Sequence, residues 1–518
     1  MILTTKGRYA VMAMLEMARS KTDSAMNLLH ISESQNIPHN YLEQIFMKLK
    51  RHSIVTSIRG PGGGYKLKDD PKEISIYKII NAVEDDIRVP KCGNNKQCTK
   101  HIKCTTHYLW EGLENNVVSY LSKISLADII NGHFGKVQLI PNNKIYFDHN
   151  ATTPMDSSVQ SEISQIWGPA YNPSSLHWHG RKAKALIENA RNKIANALGI
   201  KLGIGQYQIT FTSSGTEANN LLLHNFKGKD FLVSNIEHLS ILESSTTYGN
   251  RILIKVDQNS QIDMKYFEES IQHAKAGSLV SIMSANNETG IIQENMLEII
   301  KRSHARGLFV HSDIIQAFGK IPIDLWGLDF ATISSHKIGG PIGAAALVHK
   351  TKIPIMAQII GGGQERGVRA GTENVAAIVG FGIAAEIAQN NIQKYQDIAL
   401  LRDRMEDMIK AICDNVVFYG KETTRLPNTS MILMPSIDAQ NQLIQFDLND
   451  ISVSAGSACS SGRMKTSHVL IAIGVHDTDA KCAIRVSLGR DTTLNEVEKF
   501  VSVWKKIYES RNNIGITP

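Results

Sequence analysis

The sequence predicts a multidomain protein in which a mainly helical N-terminal part precedes a larger α/β part. At 518 residues the chain is too long for one ordinary core. From about residue 145, short apolar runs alternate with helical patterns, which is typical of a mostly parallel sheet covered by helices. From about residue 395 this alternation stops. We therefore expect a smaller α+β domain at the C-terminal end.

Composition narrows the class of protein. Hydrophobic residues make up 42% and charged residues 20% of the chain, as in ordinary globular proteins. We find no apolar run of membrane-spanning length and no secretory leader, so we expect a cytoplasmic protein without a membrane partner. Six cysteines are too few for a disulfide scaffold in a chain of this length and suit a reducing compartment.

The N-terminal part reads as a DNA-binding domain. A helix is predicted over Leu28–Gln35, and a second helix begins near Pro38. Apolar residues on one face of the second helix are Leu42, Ile45, Phe46 and Leu49. A strand over Ile54–Ile58 then leads into a glycine-rich turn with basic flanks, and residues 41–68 hold six basic residues and one acidic residue. The pattern predicts a helix-turn-helix followed by a wing; an ordinary pair of helices is the alternative.

Residues 1–135 resemble an IscR-type regulator, a winged-helix family with an iron–sulfur cluster. The closest matches are Tyr-Leu-Glu-Gln at 41–44 and Arg-Gly-Pro-Gly-Gly-Gly-Tyr at 59–65. The resemblance implies binding to double-stranded DNA. Glu43 on the second helix and Arg59 on the wing are the predicted base or groove contacts. The alternatives are a solvated Glu43 and a non-specific phosphate contact by Arg59.

A cysteine cluster follows the wing. Cys92, Cys98, Cys104 and His107 have spacings of five, five and two residues, whereas zinc modules usually present closer cysteine pairs. Thiolates with one imidazole suit a [2Fe–2S] cluster, and zinc stays open as the alternative. In the resembling family, three cysteines and one histidine hold such a cluster.

A polar stretch with Gly, Asn and Pro over residues 131–144 predicts the boundary between the two parts. We place a winged helix-turn-helix domain with a cluster loop at 1–135 and a linker at 136–144. A large domain follows at 145–394, with its first residues contributing to the small domain, and the small domain occupies 395–518.

Residues 331–340, Ala-Thr-Ile-Ser-Ser-His-Lys-Ile-Gly-Gly, predict a reactive lysine. A β-branched run delivers Lys337 into a glycine turn beside a histidine and hydroxyls, which suits a Schiff base with an aldehyde cofactor. Asp313 follows the apolar run Leu308–Val310 and is the type of residue that holds the ring nitrogen of pyridoxal phosphate. A surface lysine after a core strand is the alternative for Lys337 alone.

Residues 145–510 resemble a NifS/IscS-type cysteine desulfurase, a pyridoxal-phosphate enzyme of the type I aminotransferase fold. The matching stretches lie in order along the segment: Tyr146–Pro154, Tyr171–His177, Phe211–Asn220, Asn286–Gly290, Gly361–Gly367 and Ser457–Ser461. The resemblance implies L-cysteine as substrate and conversion to L-alanine with a persulfide on Cys459, which sits among small residues. It also implies a homodimer that passes sulfur to an iron–sulfur scaffold or another acceptor protein.

The same resemblance assigns the remaining site residues. His238 stacks on the cofactor ring and relays protons, Gln316 bonds the ring hydroxyl, and Asn287 supports ring or carboxylate contacts. Arg485 binds the substrate carboxylate. Residues around the phosphate are Gly215, Thr216, Ser334, His336 and, from the other subunit, Thr372. Gly215 and Thr216 are also predicted independently, since they begin a helix after a strand.

The leading prediction is a desulfurase fused to an iron–sulfur-sensing transcription regulator. One alternative is a desulfurase whose N-terminal part only binds a cluster or docks a partner. An aminotransferase or a selenocysteine lyase is another, although the Cys459 motif argues against an aminotransferase.

Overall fold

The computed structural model describes residues 5–19, 25–60, 63–84, 116–130, 144–456 and 466–510. Contacts divide the chain into two compact units, Met1–Asn142 and Asn143–Pro518. Each unit is described by itself.

The first unit is a helical domain with one hairpin. Its helices are α1 (Thr5–Arg19), α2 (Leu28–Gln35), α3 (His39–Arg51), α4 (Ile76–Val83), α5 (residues 116–122) and α6 (Leu126–Ile130). Its strands β1 (Val55–Ile58) and β2 (Gly64–Leu67) pair antiparallel, with Val55 opposite Leu67. The predicted winged helix-turn-helix fold is confirmed in these elements.

Local chemistry explains the helix pair. The side chain of Asn27 caps α2 by accepting from the Leu29 amide, and Asn36 ends α2 in the left-handed region at φ 51°. Pro38 then precedes α3, where its fixed φ suits a helix start. The four apolar residues predicted on one face of α3 are all fully buried. They pack in one core with residues of α1 and α4.

The second unit contains a seven-stranded sheet in the order β4-β10-β9-β8-β7-β5-β6. Its strands are β4 (Tyr207–Thr212), β5 (Asp230–Ser234), β6 (Asn250–Ile254), β7 (Leu279–Ser281), β8 (Phe309–Asp313), β9 (Phe330–Ser334) and β10 (Ala345–Lys350). Only β10 runs antiparallel to its neighbours. The predicted mostly parallel sheet is confirmed.

Strand β10 was missed by the sequence reasoning, as was β6. The direction of β10 has a simple cause: few residues separate Ser334 from Ala345, and a parallel crossover needs a dozen or more. The chain therefore turns back through the glycines after Lys337 and pairs antiparallel.

The helices of this unit pack against the sheet and against one another. They are α7 (Ser157–Ile166), α8 (Trp178–Ala197), α9 (Gly215–Asn225), α10 (Leu239–Tyr248), α11 (Met264–His273), α12 (Met296–Ala305), α13 (Val375–Asn390), α14 (Lys394–Lys410), α15 (Ala439–Leu448), α16 (His468–Ala472), α17 (Asp477–Ala480) and α18 (Leu494–Ser510). Helices α8 and α13 share one core with β4, β9 and β10.

A smaller antiparallel sheet has the order β11-β12-β15-β14. Its strands are β11 (Val417–Tyr419), β12 (Thr429–Leu433), β14 (Ser454–Ala455) and β15 (Ala483–Ser487). The first strand of the unit, β3 (Ile145–Tyr146), pairs with β13 (Ile451–Ser452) rather than with the large sheet. Phe147 consequently packs on Phe500 of the last helix.

Among the described residues, no single helix has the length and apolar composition to cross a membrane. Among the described helices, only α13 and α14 taken together have that length and composition, and the two helices are bent by 72° relative to each other.

Candidate active site at the carboxyl ends of the central strands

The predicted cofactor residues follow three strands that run in the same direction. Asp313 ends β8, Lys337 follows β9 in a short 3-10 turn, and Gly215 begins α9 after β4. Strands β8 and β9 are parallel neighbours, and β4 is separated from β9 only by antiparallel β10. The three segments therefore open at one edge of the sheet, where α/β proteins bind ligands.

Lys337 has the surroundings of a nucleophilic amine. Its Nζ donates to the Asn150 carbonyl at 2.5 Å and to the Ala151 carbonyl at 2.7 Å. Burial, helped by the nearby Arg485 cation, lowers the pKa of Lys337 to about 8. A lysine with this pKa supplies neutral amine near neutral pH, which attack on an aldehyde requires.

Asp313 is a buried carboxyl fixed on both oxygens. Its Oδ2 accepts from Asn219 Nδ2 at 3.0 Å, and its Oδ1 accepts from the Ile315 amide at 3.0 Å. Burial raises the pKa of Asp313, and His238 and Lys337 oppose that shift. A carboxylate this deeply buried is stabilised by a cation placed beside it.

His238 precedes α10 and caps it. The Nδ1 atom accepts from the Ser240 amide at 3.1 Å and lies 2.8 Å from the Ser240 hydroxyl. Because Nδ1 accepts, we assign the proton of the neutral ring to Nε2. Burial of the ring lowers the pKa of His238, which favours the neutral imidazole.

The start of α9 can hold an anion. Gly215 and Thr216 are its first residues, and the helix begins with free amides and a positive dipole end. Gly215 packs closely on Ile315: a Cβ there would lie 2.4 Å from Ile315 Cδ1 and would have to displace that side chain. Ser334 Oγ is buried without a hydrogen-bond partner among the described residues.

An ion pair connects the start of α9 to the segment that carries Thr372. Arg369 Nε donates to Glu217 Oε1 at 2.8 Å, and Glu217 also accepts from the Ser213 amide at 2.9 Å. Thr372 itself is exposed. His336 is half-buried, and its Nδ1 lies 3.2 Å from Thr152 Oγ1. Burial lowers the pKa of His336 to about 4.

Arg485 is buried and faces the same region. Its Nη2 donates to Asp148 Oδ1 at 2.7 Å and its Nη1 to the Asn287 carbonyl at 3.0 Å. Its Nε has no hydrogen-bond partner among the described residues. Asn287 thus meets Arg485 through its backbone oxygen.

Residues that the sequence reasoning missed form a polar cluster below Lys337. Asn150 is almost fully buried, and its carbonyl accepts from Gln316 Nε2 at 2.9 Å as well as from Lys337. Lys320 Nζ donates to Asn150 Oδ1 and to Gln316 Oε1, each at 2.9 Å. The only sequence signal for this cluster is the position of Lys320, four residues after Gln316, and nothing in the neighbouring sequence indicates that Lys320 is buried.

Five predicted site residues lie outside the described residues: Cys459 and the predicted cluster ligands Cys92, Cys98, Cys104 and His107. Within the described ranges, no group of three or more His, Cys, Asp or Glu residues could hold a metal ion. Glu43 and Arg59 are exposed in the first unit, on α3 and just after β1.

The residues at the sheet edge fit a phosphorylated pyridine aldehyde. The amine of Lys337 suits the aldehyde, and the buried Asp313 suits a protonated ring nitrogen. The unpartnered Ser334 hydroxyl and the amides of α9 suit the phosphate. This combination defines the class of lysine-dependent, pyridoxal-phosphate-binding folds.

Comparison with known proteins gives the family. Residues 145–500 match the family model of class-V aminotransferases, and residues 3–132 match that of the Rrf2 family, described as an iron-dependent transcriptional regulator. The chain belongs to the class-V aminotransferase family, and within it to the cysteine desulfurases, with a regulator-type domain ahead of the enzyme domain.

The relatives cover the second unit. The cysteine desulfurase IscS of Dictyoglomus turgidum is 36% identical over 386 residues, which is 72% of this chain and 96% of the relative. The cysteine desulfurase IscS 1 of Archaeoglobus fulgidus is 37% identical over 70% of this chain and 97% of its own length. The solved NifS-like protein of Rickettsia africae is 44% identical over 71% of this chain and all of its own, with a TM-score of 0.67.

Proposed function

We propose that the second unit converts L-cysteine to L-alanine and transfers the sulfur to Cys459 as a persulfide. The observation that carries this proposal is Lys337, a half-buried amine with a lowered pKa at the same sheet edge as Asp313. The relatives named cysteine desulfurase support it, as does a similar solved structure of SspA in complex with cysteine, 27% identical with a TM-score of 0.57.

The chain's own groups divide the work. Bound pyridoxal phosphate would supply an electron sink for the bonds broken at the substrate Cα and Cβ. Lys337 would hold the cofactor through its amine and then move the Cα proton. Asp313 would keep the ring nitrogen protonated, with Asn219 fixing the orientation of the carboxylate. Neutral His238 would lie over the ring and carry a proton on Nε2, Gln316 would bond the ring hydroxyl, and Asn287 would support these contacts.

Binding groups position the cofactor and the substrate. Gly215, Thr216, Ser334 and His336 would hold the phosphate, and Arg485 would bind the substrate carboxylate, with Asn287 and Asp148 fixing its guanidinium. Cys459 would attack the substrate sulfur as a thiolate. The carbon–sulfur bond then breaks, the sulfur stays on Cys459, and the carbon skeleton takes up protons to become alanine.

Three variants test this assignment. Lys337→Ala should abolish both the visible absorption of bound cofactor and alanine formation. Cys459→Ser should keep the absorption but lose persulfide and alanine, while Cys482→Ser, at a half-buried free cysteine, should keep all three. Alanine and sulfide at the normal rate from Cys459→Ser would refute the nucleophile role.

We further propose that the first unit binds double-stranded DNA and carries a [2Fe–2S] cluster on Cys92, Cys98, Cys104 and His107. The hairpin beside α3 supports a winged-helix reading, and the exposed residues of α3 include Tyr41, Glu43 and Met47. The match to iron-dependent regulators favours this over a docking module.

Metal analysis and DNA titration test the regulator. Intact protein should contain iron and sulfide rather than zinc. Its affinity for a promoter should change when the cluster is removed, and it should fall with rising salt because lysines and arginines displace counterions from phosphates. Zinc in the protein, or the same weak non-specific binding in both states, would replace the regulator with a docking module.

The proposed assembly is a homodimer that delivers sulfur to an iron–sulfur scaffold or another acceptor protein. Large apolar side chains of the second unit stand exposed, among them Leu176 (91% exposed), Ile342 (78%) and Ile360 (88%). Thr372 would reach the phosphate of the partner subunit. Sedimentation of the intact protein should give a dimer. Thr372→Ala should weaken cofactor retention but leave the dimer intact. The proposed location is the cytoplasm, because the free thiols of Cys413 and Cys482 suit a reducing compartment.

A further inference from the structure

A fully buried lysine without a carboxylate partner lies beside the proposed active site. Lys320 is 2% exposed, and its Nζ bonds only neutral oxygens, Asn150 Oδ1 and Gln316 Oε1. Across the described ranges, no carboxylate lies within ion-pair distance of it. Burying the charged form of a lysine without an ionised partner is costly, and a neutral amine avoids most of that cost.

The surroundings of Lys320 favour the neutral amine. Burial lowers the pKa of Lys320 well below its ordinary value, and the cations Lys337 and Arg485 act in the same direction. The imidazole of His149 interacts electrostatically with Lys320, and burial together with Lys320 lowers the pKa of His149 to about 4. A neutral amine has two N–H donors, which match the two acceptors that the structure provides.

Lys320 and the Asn150 carbonyl together fix which way the Gln316 amide faces. The carbonyl can only accept, so it takes the Nε2 side of the amide, and the Oε1 that remains accepts from Lys320 Nζ. Its Nε2 then points the other way and donates to the Asn150 carbonyl at 2.9 Å. One N–H of that nitrogen is left over for a further acceptor.

The second bond of Lys320 fixes Asn150. Besides Lys320, Asn150 Oδ1 accepts from Asn428 Nδ2 at 3.1 Å, and Asn150 Nδ2 donates to Thr429 Oγ1 at 2.8 Å. The backbone carbonyl of the same residue receives Lys337. Movement of Asn150 would therefore displace the carbonyl that holds the reactive amine.

We propose that Lys320 is a positioning residue that holds Gln316 as a hydrogen-bond donor toward the ring oxygen of pyridoxal phosphate. The inference rests on the proposed function, because it presumes that the cofactor binds at Lys337. Lys320 does not touch the cofactor; it acts through the amide of Gln316.

The role predicts a spectroscopic effect. A hydrogen-bond donor at the ring hydroxyl stabilises the deprotonated form of that oxygen, so losing the donor raises the pKa of the bound cofactor. The pH at which the visible absorption of the bound cofactor changes should therefore rise when Gln316 loses its orientation.

The experiment is a pH titration of that absorption in purified holoenzyme. Lys320→Met should raise the midpoint by about 1 pH unit, the size expected for one hydrogen bond to a charged acceptor. Gln316→Met should raise it by a similar amount. In the double variant, Lys320→Met should add no further shift, because its effect passes through Gln316.

Lys350→Met provides the matched control. Lys350 is a partly buried lysine paired with Asp329, away from the site, and its loss should leave the midpoint unchanged. If Lys320→Met does not fold, Lys320→Gln is used instead. Its amide can donate or accept and so does not fix the direction of Gln316; the midpoint should rise by less than about 1 pH unit, and this shift must vanish in the double variant with Gln316→Met.

The outcomes separate the two proposals. An unchanged midpoint in a folded Lys320 variant, or a shift that persists with Gln316→Met, overturns the positioning role. A wild-type protein that shows no visible absorption with pyridoxal phosphate overturns the proposed function instead.

Discussion

The two units of this chain differ in where their charged candidate groups lie: buried in the second unit and exposed in the first. In the second unit, Asp313, Glu237 and Lys320 are each at most 5% exposed, and the pKa of each is displaced by burial. On α3 and the wing of the first unit, Glu43 and Arg59 are exposed. The carboxyl of Glu43 is 57% exposed and lies 3.7 Å from His39 Nδ1.

The difference indicates two ways of using charge. In the proposed function, the buried groups of the second unit would act on a bound cofactor at short range and in a low dielectric, where each has a specific proton state. The exposed groups of the first unit would contact DNA through water, so salt would control that interaction. Substitutions inside should therefore change proton chemistry, and substitutions outside should change affinity or sequence preference.

The largest effect is expected from Asp313→Asn. The neutral amide cannot stabilise a protonated ring nitrogen, so alanine formation should fall by about 10²–10³-fold while the cofactor stays bound. Asp329→Asn is the control, since Asp329 is equally buried and pairs with Lys350 and His304 outside the site. Equal losses of turnover in both variants would show that Asp313 matters only for folding.

Arg485→Lys should come next. A lysine cannot reproduce the planar fork on a carboxylate, so KM for L-cysteine should rise about 10–100-fold with a smaller change in kcat. Arg425→Lys, at an arginine paired with buried Glu406 in the small domain, should leave KM unchanged. A normal KM in Arg485→Lys would place carboxylate binding elsewhere.

Glu43→Ala tests the exposed side of the comparison. A glutamate on the second helix can accept from a cytosine amino group in the major groove, so its loss should lower discrimination at one base position about tenfold. Binding to a selected operator and its single-base variants measures this, with exposed Glu33→Ala of α2 as control. Unchanged preference would make Glu43 a solvated helix residue.

The smallest effect is a pH slope from Glu237. Burial raises the pKa of Glu237 to about 8 from an unfolded value near 4.5. Between these values the native state holds a proton that the unfolded state has lost, so Glu237 makes stability fall as pH rises through this window, by up to about 1.4 kcal/mol per pH unit.

Glu237→Gln should remove that slope. Urea unfolding at several pH values from 5 to 8 measures it, and exposed Glu43→Gln should leave the slope as in the wild type. The same pH dependence of stability in the wild type and in Glu237→Gln would mean that Glu237 ionises without cost.

The sequence alone determined the architecture and much of the candidate chemistry. The apolar face of α3, the helix start near Pro38 and the parallel strands were readable because they depend on local spacing and local backbone preferences. Lys337 and Asp313 were readable as candidates because each ends a strand, and parallel strands bring their carboxyl ends to one edge.

Only the tertiary structure decided what surrounds those groups. Asn150, Lys320 and Gln316 come from two segments far apart in the chain, and Lys320 is indistinguishable in sequence from a surface lysine. Strand β10 was not recognised from the sequence either; once β10 is known to pair with β9, the short turn between them sets its antiparallel direction. Burial and long-range pairing set the pKa values and orientations of these side chains, and neither is encoded in local spacing.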